Sequence, residues 1–516
     1  MLLAATGLVA LECVCATGVD LEAQNEAAVL RDMRRDVKAL KMKVGYPGKF
    51  LEVPDSVVAK RMQKYVRRTV PFVRVKDLYD LGQETVGYIE AESVAMPQLF
   101  VGESAAEALN DKVEYFEQST DMKEVSKGVW RNERPLALRY FRFAGKEPTK
   151  ITFTEEIADV TDKLGFTGET PREQAIYDAA LRTLRLCMRE FLLDGVKRDR
   201  LPWAGDLSVS LLANAHSFRD PEIVKRTLKV LDSAGWEQGD INGIVDYSLW
   251  WIISQELFQR HFGDRAFLAK HYPRIAGRLE SFAARANAEG LLTDDGAEGS
   301  QVWLFIDWTP DAKSTTALNA IYYGALKAGA ELAGIQCQWE DADRWQKRAE
   351  QVKKALHEKA WDARRGLFRF DVRDPKAGRF TRHPNVYAAY FGVAEGEELE
   401  SIGRALAADD LPAVGTPYAY AYQAMALLKC GRRADARKLV EKIWGGMLDL
   451  GATTFWEGYN PAYRGRKHWE FYERPFANSL CHAWSSAPVF LLRMLKGNED
   501  WENPAVNSHN RLPPRT

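Results

Sequence analysis

The 516-residue chain is poor in cysteine, has no surplus of charge of either sign and contains no long hydrophobic run. Each absence excludes something. The six cysteines (Cys13, Cys15, Cys187, Cys337, Cys430 and Cys481) are too dispersed for a disulfide framework. Only Cys13 and Cys15 are close, and no further Cys or His stands near them to complete a zinc site. No metal or other cofactor is therefore expected. Lys and Arg total 71 against 72 Asp and Glu. That balance argues against a nucleic-acid partner, because phosphate binding needs a clustered positive surplus. No stretch reaches the ~20 apolar residues of a membrane span, so no membrane insertion is expected. Hydrophobic residues nevertheless make up 46% of the chain, enough for a large core. What the chain has in excess is tryptophan, with 15 residues. Flat indoles grip sugar rings through their C–H faces.

Met1–Gly18 is apolar but contains Glu12, and the first basic residue is Arg31. Residues 1–22 read either as a signal peptide, implying a periplasmic or secreted protein, or as an N-terminal extension of a cytoplasmic one. Glu22–Val44 has helical apolar spacing. Between 50 and 155 the text turns to short β-forming runs with glycine punctuation, such as Leu136–Phe143, which predicts a β-sandwich. Thr170-Pro171 followed by Glu173 reads as a capped helix start. From 170 to 496 about twelve helical segments follow, among them Ala175–Leu193 and Ala477–Leu495. Twelve helices fit six α-hairpins closed into an (α/α)6 toroid, with an irregular bundle as the alternative. The predicted fold is thus mainly α, a toroid preceded by a smaller β-sandwich. Residues 497–516 read as a loose polar tail.

Chemistry concentrates in four places. The loop Asp194–Asp206 packs three acids, three bases and Trp203 into thirteen residues. An indole platform, carboxylates to accept hydroxyl protons and an Arg donor suit a sugar, although a salt-bridged surface turn has the same composition. In Gly451–Glu457, aromatic neighbours that include Trp456 could desolvate Glu457 and raise its pKa, or Glu457 is simply exposed at a helix start. A third cluster runs from His468-Trp469-Glu470 to Ser479–Ser486. Within it His482 sits on an apolar segment, where a satisfied core histidine is the common case. Asp307-Trp308 is a further acid-plus-indole pair, and an Asp capping the next helix would look the same. Paired carboxylates flanking a sugar bond are the minimum equipment of most glycoside hydrolases. A ring that brings its first and last hairpins together would juxtapose Asp199 and Glu457.

The order D-G-x-K-R-D-R-x-x-W-x-G-D (194–206), A-T-T-x-W-E (452–457), S-L-x-H-A-W-S-S (479–486) resembles the bacterial α-L-rhamnosidases, glycoside hydrolase family 78. Asp80–Tyr88, D-L-G-x-x-x-x-G-Y, looks like a strand-turn of their N-terminal β-sandwich. The resemblance covers about Asp77 to Leu495. It implies an (α/α)6 catalytic domain that removes terminal α-L-rhamnosyl residues, with inversion, from a rhamnosylated glycoside or oligosaccharide. It places the general acid at Asp199 and the general base at Glu457. Asp194, Arg198, Trp203, Asp206 and His482 match substrate-binding positions, and Asp307, Trp308 and Trp456 join them on the residue reading above. Asp194 and Asp206 are expected to act as negative neighbours that keep Asp199 protonated.

The chain departs from the family pattern twice. The acid position is usually Glu, so Asp199 is one methylene short. Only residues 458–516 follow Glu457, too few for the further C-terminal β-sandwich of many members. Lys197, Arg200, Arg464, Arg466 and Lys467 either favour an acidic +1 sugar such as a uronate or are ordinary surface bases. The rivals are another (α/α)6 glycosidase, such as an unsaturated glucuronyl hydrolase, and a non-catalytic rhamnoside-binding relative.

Overall fold

A computed structural model describes residues 63–497, apart from 113–114, 234, 236, 238, 295–302, 310, 375, 377 and 409. The apolar N-terminal segment, the Glu22–Val44 helix and the polar tail of the sequence reading lie outside the described residues.

Eight antiparallel strands come first: β1 (Tyr65–Thr69), β2 (Val73–Val75), β3 (Leu78–Glu92), β4 (Gln98–Gly102), β5 (Met122–Ser126), β6 (Val129–Asn132), β7 (Leu136–Ala144) and β8 (Lys150–Ala158). They form one hydrogen-bonded sheet rather than two separate ones, because β3 serves both wings. Its first half pairs with β2 and β7, and its second half with β6 and β8. The register slips between Asp80 and Thr85. There Gly82 has φ +79° and its N–H donates to Asp80 Oδ1, the left-handed residue that such a bulge uses. At Gly87 a Cβ would collide with the Thr154 carbonyl of β8. The D-L-G-x-x-x-x-G-Y signature therefore encodes a bulge and a close strand crossing. One face of the folded sheet encloses Leu81, Ile89, Leu138, Phe141 and Phe153. Val86, Ala137 and Ile157 instead meet Leu186, Val196, Cys481 and Ala483 of the helical part.

A short helix α1 (Ala105–Ala108) lies on the sheet. Twelve further helices follow among the described residues. These are α2 (Pro171–Cys187), α3 (Ala204–Ala215), α4 (Pro221–Leu231), α5 (Val245–Phe262), α6 (Arg265–Arg285) and α7 (Thr315–Ile335). Next come α8 (Trp339–Ala360), α9 (Arg382–Phe391), α10 (Glu397–Ala407), α11 (Pro417–Lys429), α12 (Arg433–Val440, continued through a π turn into Gly446–Asp449) and α13 (Pro488–Lys496). A minor hairpin, β9 (Trp361–Asp362) and β10 (Leu367–Phe368), follows α8.

Burial sorts the helices into two sets. Every residue of α3 is buried, and α5, α7, α9 and α11 are nearly so, as helices apolar all round require. On α8 the buried residues, chiefly Ala342, Trp345, Ala349, Val352, Leu356 and Ala360, form one stripe at helical spacing. The buried set packs in sequence, α3 on α5, α5 on α7, and so on to α13, and α13 returns to α3. Of the other set, α4, α6, α10 and α12 each pack on both odd-numbered neighbours, α2 packs on α3 and α13, and α8 packs chiefly on α7. Trp250, Trp251, Trp345 and Trp444 are fully buried. Much of the tryptophan surplus is core volume, not sugar platform. Among the described residues no helix is long and apolar enough to cross a membrane.

Caps behave as read: Thr170 accepts from Glu173 N–H with Pro171 in the first turn. Two helices end up shorter than their patterns. The run Ala175–Leu193 stops at Cys187. In Ala477–Leu495 only the part from Pro488 onward is α-helical. Residues 477–483 spend their backbone groups elsewhere: Ser479 C=O accepts from Glu457 N–H, His482 N–H donates to Phe455 C=O and Ala483 N–H to Asp194 C=O. Tertiary pairing overrides local periodicity there.

Candidate active site

The loop 194–201 leaves α2 and returns on itself. Asp194 N–H donates to Leu201 C=O, and Leu201 N–H donates to Asp194 Oδ1 at 3.0 Å. This clasp forces a sharp reversal in which Asp199 and Arg200 have φ of +54° and +55°. Two successive non-glycine residues in that region are strained. The strain is held by outside contacts, for Arg200 Nη1 donates to Pro135 C=O of the sheet at 3.0 Å.

The loops from the two ends of the helical part meet at Arg198. Its Nη2 lies 2.6 and 2.5 Å from the Glu457 carboxylate oxygens, its Nη1 3.4 Å from Asp199 Oδ2, and its Nε donates to Ala477 C=O. The guanidinium also lies over the Tyr472 ring, 4.6 Å from its centroid. Glu457 further accepts from the Tyr472 hydroxyl (3.2 Å) and Ser479 N–H (3.3 Å), while Trp484 Nε1 donates to its backbone carbonyl (3.0 Å). Two nitrogens on one carbon, each bonded at ~1.33 Å, lie about 2.3 Å apart, so nearest oxygens of Asp199 and Glu457 are separated by at most roughly 8 Å.

Asp206 and Asp194 are buried beside this pair. Burial pushes Asp194 well above the usual carboxylate range, and the charges of Asp199 and Asp206 add to it. Asp206 rises for the same first reason, with Glu457 and Asp199 adding against the Tyr247 hydroxyl hydrogen bond. Both therefore favour the neutral form. A raised pKa works against the role of fixed negative neighbours expected of them around Asp199. His482 is buried, and burial followed by the Arg198 charge lowers its pKa well below the ordinary value. Its Nδ1 stands 3.8 Å from Asp206 Oδ1, and neither atom has a hydrogen-bond partner. Two orphaned polar atoms facing each other at this depth suit a hydroxyl that bridges them.

The indoles divide. Trp203 is buried edge-on to Tyr247, and Trp456 edge-on to Tyr459 and His468. Trp308 is half-buried, edge-on to Tyr472 at 5.3 Å, and so stands at the rim. Asp307 caps no helix; Ser314 caps α7. Its oxygens accept instead from Trp308 N–H, the Thr416 hydroxyl, His383 Nε2 and Gly415 N–H at 2.8, 2.7, 2.9 and 2.6 Å.

Four of the five bases considered for an acidic sugar are engaged elsewhere, Arg200 on the Pro135 carbonyl among them. Lys197 is buried among Glu103 and Glu107, Arg464 is turned back onto the Pro461 and Tyr463 carbonyls, and Lys467 lies over Tyr463. Sequence reasoning missed Tyr472, four residues past His468 in an aromatic-dense stretch that was its only signal. It also missed the backbone donor of Ser479, which leaves no trace in side-chain chemistry.

Comparison with known proteins follows the same lines. Residues 163–494 match a family model described as the bacterial alpha-L-rhamnosidase 6 hairpin glycosidase domain. A solved rhamnosidase from Klebsiella oxytoca with rhamnose bound is 25% identical, with a TM-score of 0.69 over 85% of this chain and 89% of that one. A family 78 rhamnosidase of Bacillus sp. GL1 is 21% identical (TM-score 0.68; 86% of this chain, 48% of that one). The Streptomyces avermitilis α-L-rhamnosidase complexed with L-rhamnose is 18% identical (TM-score 0.63; 84% and 43%). These two share the fold, and the chain spans about half their length or less. Comparison with curated proteins yields no match.

Proposed function

The chain belongs to the bacterial α-L-rhamnosidase six-hairpin glycosidase family, and on that premise we propose that it hydrolyses terminal α-L-rhamnosyl residues with inversion. We read the twelve helices as an (α/α)6 toroid. The neighbour order of the buried helices, with α13 back on α3, supports this.

The observation that carries the reading is the Arg198 bridge. One guanidinium holds Asp199 on one side and Glu457, 259 positions away, on the other. In the proposed reaction Asp199 donates its proton to the leaving glycosidic oxygen. Glu457 takes a proton from a water that attacks the anomeric carbon from the opposite face. Glu457 receives donors from three sides, which presents it as an acceptor. The ceiling of roughly 8 Å between nearest carboxyl oxygens leaves room for the lower part of the ~6.5–9.5 Å range that an inverting enzyme uses to fit a water. Arg198 leaves Glu457 for the sugar as substrate enters, and the facing atoms of Asp206 and His482 take one of its hydroxyls. A rhamnose-bound relative at 25% identity over most of both chains supports the substrate class. Proton NMR of the first sugar released from an aryl α-L-rhamnoside tests the mechanism. The β anomer is expected; an α anomer as first product would overturn inversion.

A further inference from the structure

The sheet domain grips the loops around Asp199 and Glu457. Glu84 N–H donates to Thr453 Oγ1 and Arg139 to Gly451 C=O, at the loop before Glu457. Glu117 pairs with Arg474 at 2.6 Å, beside Tyr472. The tightest grip comes from Glu103, at the turn between β4 and α1. Its Oε2 pairs with Lys197 Nζ at 2.9 Å and accepts Leu480 N–H at 2.6 Å. Lys197 immediately precedes Arg198; Leu480 lies between Ser479 and His482. Lys197 Nζ also donates to Phe476 and Asn478 carbonyls at 2.7 and 2.9 Å and reaches Glu107. Side chains of Lys197 and Glu103 are 1% and 0% exposed.

Such a cluster is an inefficient way to gain stability. Desolvating a buried ion pair costs several kcal/mol per ion, and apolar packing often does as well. What the pair supplies is geometry. The Glu103 oxygen, together with the Lys197 bonds to the Phe476 and Asn478 carbonyls, sets the distance between the loop bearing Arg198 and Asp199 and the segment bearing Ser479 and His482. The loop needs such a constraint, because the strained Asp199 and Arg200 would relax without it. Burial opposes the Lys197 charge, but Glu103 and Glu107 outweigh it and raise its pKa, while burial also raises Glu103 and lifts Glu107 to about 7.

We propose that Glu103, acting through Lys197 and Leu480 N–H, is a positioning residue through which the sheet domain sets the register of the two catalytic loops. The inference rests on the rhamnosidase reading, with turnover by the unaltered protein as its control. Glu103→Gln, Lys197→Met and their double variant are assayed on an aryl α-L-rhamnoside, with L-rhamnose binding sites counted by calorimetry. Each single change is expected to lower kcat per binding site at least tenfold while KM moves less than threefold. The double variant should be no worse than the poorer single, since the Glu103–Lys197 bond is already lost in each. A kcat per site within twofold of the unaltered protein, or losses that multiply, would overturn the proposal. If E103Q does not fold, Glu103→Asp keeps the charge and shortens the arm, and at least a threefold kcat loss is expected; no loss counts against the tether. Hydrogen exchange over 194–201 and 477–482 is independent of turnover. Faster exchange in both segments upholds the tether, and unchanged exchange overturns it. An unaltered protein that cleaves no rhamnoside, with exchange responding as expected, sinks the hydrolase reading and upholds the tether.

Discussion

Asp307-Trp308 and Trp456-Glu457 each place a carboxylate beside an indole, and both carboxylates are buried, yet different donors hold them. Asp307 is met by two backbone N–H groups, a threonine hydroxyl and a histidine, all on α9, the α11 start or the adjoining chain. Gly415 packs so closely that a Cβ there would strike the Trp308 carbonyl. None of these donors can leave without breaking the scaffold. Glu457 is held chiefly by Arg198, on a long rotatable arm, and by Tyr472, which is 42% exposed. A ligand can displace both. Burial does not separate the two carboxylates; their donors do, backbone and packed groups for Asp307 and two side chains chiefly for Glu457.

The largest expected effect tests the Glu457 side. Glu457→Gln keeps the shape and an acceptor but cannot take up a proton as a carboxylate does. Turnover of an aryl α-L-rhamnoside should fall by about 10³-fold, roughly 4 kcal/mol of barrier. Turnover close to that of the unaltered protein would remove Glu457 from the base role and erase the contrast with Asp307.

Asp307→Asn tests the other side. The new amide group would turn donors toward N–H and O–H groups that need acceptors. The loss should appear in stability, about 2–4 kcal/mol by denaturant unfolding, with kcat per folded molecule within about tenfold. A variant that is fully stable but inactive would move Asp307 into the site and Glu457's distinction with it.

Residue chemistry alone does not tell the two pairs apart; only the family motif singles out Glu457, because the difference lies in partners 76 and 108 positions from Asp307 and 259 from Glu457. Helices with one buried stripe, such as α8, and the Thr170-Pro171 start were readable, since local periodicity and capping chemistry carry them. Three things were not. The 477–483 segment has a helical pattern, but its backbone pairs across the site. The Asp199-Arg200 reversal has no glycine to announce it. Lys197 looked like a surface base because its partners, Glu103 and Glu107, come from another domain.

The smallest effect concerns the cost of keeping buried acids in the site. Burial, then the charges of Glu457 and Asp199, raise the Asp206 pKa well above its ordinary value. An unfolded Asp titrates near 3.9. Above that pH the folded protein holds a proton that the unfolded chain has released. The contribution of Asp206 to stability is thus fully present below about pH 3.9 and is lost as pH climbs toward its folded pKa. His482, whose pKa is lowered first by burial and then by Arg198, acts in the opposite sense, losing stability as pH falls through about 6.5. His482 faces Asp206 at 3.8 Å, so the comparison of the unaltered protein with Asp206→Asn is repeated in a His482→Asn background to isolate the Asp206 part. The amide introduced by Asp206→Asn has nothing to ionise. The variant should gain on the unaltered protein as pH rises from 5 to 7.5, seen as a Tm difference that moves in its favour. A Tm difference that is the same at both pH values would show that Asp206 is ionised throughout. Asp206 would then be held as a charged partner, as Glu457 is by Arg198, and the site would contain two working carboxylates where one is inferred.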